Sequence, residues 1–190
     1  MSEQWQDKKA REAFEIAEFI KYYERRYGKR LEVVRKSERP DYIVRDGVTE
    51  VLYGVELTAV YLSDRSAFEE HIHPGSQILL EDPDVIENYQ KRILRAVTEK
   101  VQKARKGYEL SNPLLLSVYV HEYVATYLGF DEWQAFEIKY KEMITNIAPF
   151  IEIVFWPLPN GEAYFIKQNN ICCKNNASVD EHNKRVCSEW

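Results

Sequence analysis

Cysteine is scarce in this chain of 190 residues: there are three, two of them adjacent. That is no disulfide framework, and a reducing cytoplasm is the simplest setting for it. Long apolar runs are missing too, so no segment reads as a membrane span. The opening stretch, MSEQWQDKKAREAFE, lacks the apolar core of a signal peptide. Nor is there a surplus of positive charge. With 26 Lys and Arg against 31 Asp and Glu, the net charge is −5. This argues against a protein that coats nucleic acid nonspecifically, while leaving room for a local basic face. No internal repeat is visible.

What is present is an ordinary globular composition, rich in tyrosine, of a length that suits one domain with a sizeable core. That domain is expected over residues 1–168. Residues 169–190 are polar, carry little apolar periodicity and read as a tail. Cys172, Cys173, His182 and Cys187 are zinc-type ligands. Adjacent cysteines are awkward on one ion, however, and the spacing fits no common finger, so reduced thiols are the simpler reading.

The most informative stretch is Arg39 to Tyr61. DYIV and VLYGVEL are rich in β-branched and aromatic residues, with Asp46-Gly47 between them as a turn signal. Alternation separates Tyr42, Val44, Val55 and Leu57 from Asp41, Ile43, Glu56 and Thr58. If the turn centres on Val48–Thr49, Asp41 and Glu56 are equidistant from it and sit side by side. Two carboxylates forced together repel, and a hard divalent cation such as Mg²⁺ gives them a reason to meet. On spacing alone, Asp41 at a strand start and Glu56 in solvent explain the pattern equally well.

Elsewhere the periodicity predicts a helix over Ala10–Tyr27, closed by Gly28, with Glu12, Glu15 and Glu18 on or near its polar side. A short strand follows at Leu31–Arg35. Leu62 to Val85 reads as a long loop, in which His71 and His73 are weak metal candidates. A second helix is expected over Val85–Lys106. Ile86, Tyr89, Ile93, Ala96, Val97, Lys100 and Ala104 recur along it at three- and four-residue steps. Lys91, Arg92, Arg95, Lys100, Lys103, Arg105 and Lys106 make its other face basic, suited either to phosphates or simply to water. PLLLSVYV (113–120) reads as a strand buried on both faces, with His121 directly after it as an ordinary polar residue. A third helix over Asp131–Ile147, N-capped by Asp131, and strands over Phe150–Pro157 and Ala163–Lys167 complete the chain.

Pro40-Asp41, a hairpin, and Glu56-Leu57-Thr58 resemble the PD-(D/E)xK nuclease superfamily, whose pattern is Pro-Asp, a spacer, then Asp/Glu-x-Lys. The likeness spans roughly residues 12–120. It implies a restriction-endonuclease-like αβββαβ core and a Mg²⁺-dependent endonuclease, with Mn²⁺ as a substitute ion. Asp41, Glu56 and the carbonyl of Leu57 would hold the metal, and Glu15 or Glu12 from the first helix would approach it. Thr58 stands where the superfamily has lysine, and a neutral hydroxyl cannot supply an ammonium charge. Some members take that lysine from the next helix. Here Lys103 is the first choice and Lys100, one turn earlier, the second.

The expectation is therefore an α/β domain with a mixed sheet of about five or six strands flanked by helices. Its expected function is hydrolysis of phosphodiester bonds, with DNA as the first choice of substrate. Lys91, Arg92, Arg95 and Lys106 would contact the nucleic acid, and a homodimer would suit cutting of two strands. A catalytically inactive protein on the same scaffold, binding nucleic acid or a protein partner, is the alternative. Hydrolysis of a glycoside by paired carboxylates is a third class; it needs a sugar-sized apolar cleft without a basic rim.

Overall fold

Alternating apolar residues build one six-stranded sheet, which carries helices on both faces. The structure is a computed structural model and describes residues 8–63, 82–108, 110–120, 130–156 and 162–168. Helix α1 (Lys8–Tyr27) leads into β1 (Leu31–Lys36), β2 (Tyr42–Asp46) and β3 (Leu52–Val60). Helix α2 (Pro83–Gly107), β4 (Leu114–Val120), α3 (Phe130–Lys139), the single turn α4 (Lys141–Ile144), β5 (Phe150–Trp156) and β6 (Tyr164–Lys167) follow. The strands lie in chain order, β1 to β6. Pairing is antiparallel among β1, β2 and β3, parallel from β3 through β4 to β5, and antiparallel again at β6. The sheet is thus mixed, in an α/β fold. The opening order is helix, three strands, helix, strand, as the periodicity predicts.

Two cores flank the sheet. On one face Ile16, Phe19, Tyr22 and Tyr23 of α1 pack against Tyr42, Val44, Tyr53, Val55, Leu57, Leu115, Tyr119, Val154 and Trp156. On the other, Tyr89, Ile93, Val97, Val101 and Ala104 of α2 pack against Leu114, Leu116, Val118, Ile153 and Phe155, with Trp133 and Phe136 of α3. β4 is buried along its whole length, because parallel neighbours on both edges and helices on both faces leave it no solvent side.

Several boundaries differ from the sequence reading. α2 begins at Pro83, not Val85. Asp82 caps it by accepting from the Asp84 N–H at 2.9 Å, and proline fits the first helical position. The expected third helix breaks at Tyr140, whose φ of −113° leaves helical geometry. Asp131 lies inside α3 and is not its cap. Ile138 and Met143, both apolar, are exposed. Gly28 does close α1, with φ of 63° and its N–H on the Glu24 carbonyl. The histidines at 71, 73 and 121, most of the 62–85 loop and the 169–190 segment with its cysteines lie outside the described residues. No helix among the described residues is long and apolar enough to cross a membrane.

Candidate active site

The site begins with the hairpin register. Tyr42 faces Val55 and Val44 faces Tyr53, so continuing the ladder by one residue sets Asp41 beside Glu56. This is the register of a turn centred on Val48–Thr49. The turn is held by Asp46, whose Oδ1 accepts the N–H groups of Val48 and Thr49 at 2.9 and 3.1 Å. Positive φ falls on Glu50, at 59°, and not on Gly47. Gly54 fixes the other end. A Cβ there would meet Leu114 Cδ2 and Pro40 Cγ, each at 2.6 Å, so only glycine lets the Pro40 ring lie over the strand. Pro40 in turn delivers Asp41.

Asp41 Oδ2 accepts the Leu57 N–H at 2.8 Å. The N–H and C=O of one strand residue project from the same edge, so the Leu57 carbonyl shares the side that Asp41 occupies. Glu56 points to the α2 face and is only 3% exposed. Its Oε1 accepts from Lys100 Nζ at 2.6 Å. Its Oε2 is buried with no partner of good hydrogen-bond geometry among the described residues. Burial, then the charge of Glu56, pushes the Asp41 pKa up, against the Leu57 hydrogen bond and Lys100, which pull it down. Tyr108, just past α2, is driven far above the ordinary phenol range, first by burial and then by hydrogen bonding to Glu56 and by its charge. It remains a protonated donor.

Of the two candidate lysines, the structure brings Lys100 to Glu56. Lys103 lines the same cleft, of about 380 Å³, with Glu38, Arg39, Glu56, Lys100, Lys106, Gly107 and Tyr108. The signal that separates them was in the sequence. Lys100 falls in phase with Ile93, Val97 and Ala104, which face the sheet, whereas Lys103 lies on the exposed side.

Glu15 departs from the polar face expected of it and is 3% exposed. In α1 it is in phase with Glu18 and Tyr22, also buried, because this side of the helix packs on the sheet. Desolvation raises its pKa to about 7, opposed first by Arg11, whose Nε lies 3.3 Å from Oε1. Asp41 and Lys100 are among its weaker electrostatic neighbours. Glu12 is held by Lys36 at 2.5 Å.

The four residues expected to contact nucleic acid border different clefts. Lys91 pairs with Glu87 at 3.1 Å and Arg95 with Glu99 at 2.9 Å. Arg92 and Arg95 line a separate cleft with Tyr61 and Ser63. Lys106 alone borders the carboxylate cleft. Arg105 is a structural clamp, donating to the carbonyls of Asn146 and Ala148.

Among the described residues, no group of three or more His, Cys, Asp or Glu side chains is arranged to hold a metal ion. A cation here would rest on Asp41, Glu56, backbone carbonyl and water. That set suits Mg²⁺, which commonly keeps several waters and takes one or two protein carboxylates. The unpartnered Glu56 Oε2 and the raised pKa of Asp41 are the two features such an ion would relieve. No family model matches the chain, and neither curated proteins nor solved structures give a match.

Proposed function

We propose that the protein is a metal-dependent nuclease that hydrolyses phosphodiester bonds, with DNA as substrate. One observation carries the reading: two carboxylates adjacent across the hairpin, Glu56 buried and Asp41 half-buried, meet a lysine from the following helix, through the Leu57–Asp41 and Lys100–Glu56 bonds. Asp41 and Glu56 would hold Mg²⁺ or Mn²⁺, with the Leu57 carbonyl beside them. The chemistry such an ion supplies is Lewis acidity, which acidifies water and stabilises charge on the phosphate. Lys100 takes the task that Thr58 cannot perform. Its ammonium orients water at the carboxylates and offsets developing negative charge. The Lys100 bond also holds Glu56 in place.

The alternative is a catalytically inactive protein on this scaffold, and it rests on Thr58. A lysine remote from the carboxylates would favour it; Lys100 Nζ is 2.6 Å from Glu56. The glycosidase reading loses support from the cleft's lysine- and arginine-rich lining.

The test begins with calorimetric titration of Mg²⁺ and Mn²⁺ into wild type and Glu56→Ala. Binding is expected in wild type and not in the variant. Cleavage of DNA should then fall by roughly a hundredfold or more in Asp41→Ala, Glu56→Ala and Lys100→Ala, all still folded. In Lys100→Ala the loss should appear in kcat, and in Lys103→Ala mainly in KM. Full activity of Asp41→Ala would refute this site.

A further inference from the structure

The basic residues of α2 and its surroundings divide into two groups. Lys91, Arg95 and Lys36 are each tied to a glutamate, and Arg105 to backbone carbonyls. Arg39, Lys103 and Lys106 are exposed, and among the described residues none has an ion pair. All three line the cleft that holds Glu56 and Lys100. Within that lining Lys100 and Glu56 neutralise each other. Three cations then remain against one carboxylate, Glu38, so the rim is net positive on a chain whose net charge is −5. Clustered cations that lack ion-pair partners repel one another. An anion supplied from outside offsets that cost. Arg39 is one residue before Pro40 and two before Asp41, so it travels with the carboxylate. Lys103 and Lys106 lie one and two helical turns beyond Lys100.

We propose that Arg39, Lys103 and Lys106 form a phosphate-binding rim. In this assignment the backbone phosphates next to the reacting one are held at the C-terminal end of α2, and the Lys91–Arg95 face takes no part. The assignment rests on the nuclease reading for its substrate, but binding can be measured without cleavage. Arginine suits bidentate contact with a phosphate, while the two lysines act as point charges.

The experiment measures binding of a short fluorescein-labelled DNA duplex by anisotropy, in EDTA, over a series of salt concentrations. Wild type is compared with the triple variant Arg39→Ala/Lys103→Ala/Lys106→Ala and with Lys91→Ala/Arg95→Ala. Circular dichroism confirms that each variant is folded. The rim variant should bind roughly tenfold or more weakly, and its salt dependence should flatten by about 0.9 in log–log slope for each phosphate that is no longer neutralised. The Lys91/Arg95 variant should stay within about twofold of wild type. Lys106 near a helix end also complements the helix dipole. A role confined to that would lower Tm and leave the salt slope unchanged, which would overturn the proposal. So would equal losses in both variants, absence of DNA binding by wild type, or rim-dependent capture of acidic lipid vesicles in place of DNA. Rim-dependent binding without cleavage under any metal would sink the nuclease reading and leave the rim standing. Metal-dependent cleavage with a neutral rim variant would do the reverse.

Discussion

Glu15 is a carboxylate held where water scarcely reaches it, and the fold prefers it protonated. Its pKa rises from 4.5 to about 7, mainly through desolvation. A raised acid pKa means that the associated stability is complete below the ordinary value and is lost as pH climbs through the folded one. Wild type should therefore lose stability between about pH 4.5 and 7. Glu15→Gln, which carries no charge to desolvate, should melt at higher temperature than wild type in mildly alkaline buffer. The difference is on the order of 3 kcal/mol at most, and the two proteins should converge in acid. Thermal melts across pH decide this; parallel curves would show that Glu15 is not the titrating group. At this scale the sequence was legible in part. Asp41 and Glu56 could be paired from the turn centre alone. Lys103 ranks above Lys100 only if its nearness to the next strand is weighed above helical phase. Glu15 escaped because a charge in a buried stripe looks, by composition, like a charge on a wet one.

Among the elements, the hairpin and the helix after it carry the site, and glycine sets their fit. Any side chain at position 54 pushes against Pro40 and Leu114 together. Gly54→Ala is expected to cost about 1–3 kcal/mol in urea unfolding. It should also weaken Mg²⁺ binding, because relief of the clash moves Pro40 and with it Asp41. Unchanged stability and unchanged metal binding would mean that the clash is easily absorbed. The hairpin register was readable because a two-residue side-chain period allows no intermediate setting. The break at Tyr140 was not, since Trp133, Phe136, Tyr140, Ile144 and Ile147 keep helical spacing straight through it. The early start of α2 could have been read from Asp82-Pro83, a cap and a first-turn proline together.

For the molecule as a whole, the sheet divides two unlike surroundings; β3, β4 and β5 each feed both, and β4 is buried along its whole length. Leu115 and Tyr119 belong to the core under α1, while Leu114, Leu116, Val118 and Val120 belong to the core under α2. Trp156 Nε1 donates to Ser117 Oγ at 2.8 Å, so the one hydroxyl in the middle of β4 is also satisfied. Amide exchange followed by mass spectrometry should find Leu114–Val120 the slowest segment, opening only with global unfolding. Faster exchange there than in β1, whose residues are mostly exposed, would contradict a single cooperative core. The α/β class and the burial of β4 on both faces were legible because an uninterrupted apolar run admits few other placements.

The lysine–glutamate bond joins residues 44 positions apart in the chain. A polypeptide emerging from the ribosome therefore displays both carboxylates well before it owns the ammonium that completes them. At about 5–20 residues per second, the interval lasts for seconds. During it the unfinished chain carries the two neighbouring carboxylates without the cation that faces Glu56. Because the lysine comes from a later helix, the pair of opposite charges can close only once α2 has been made.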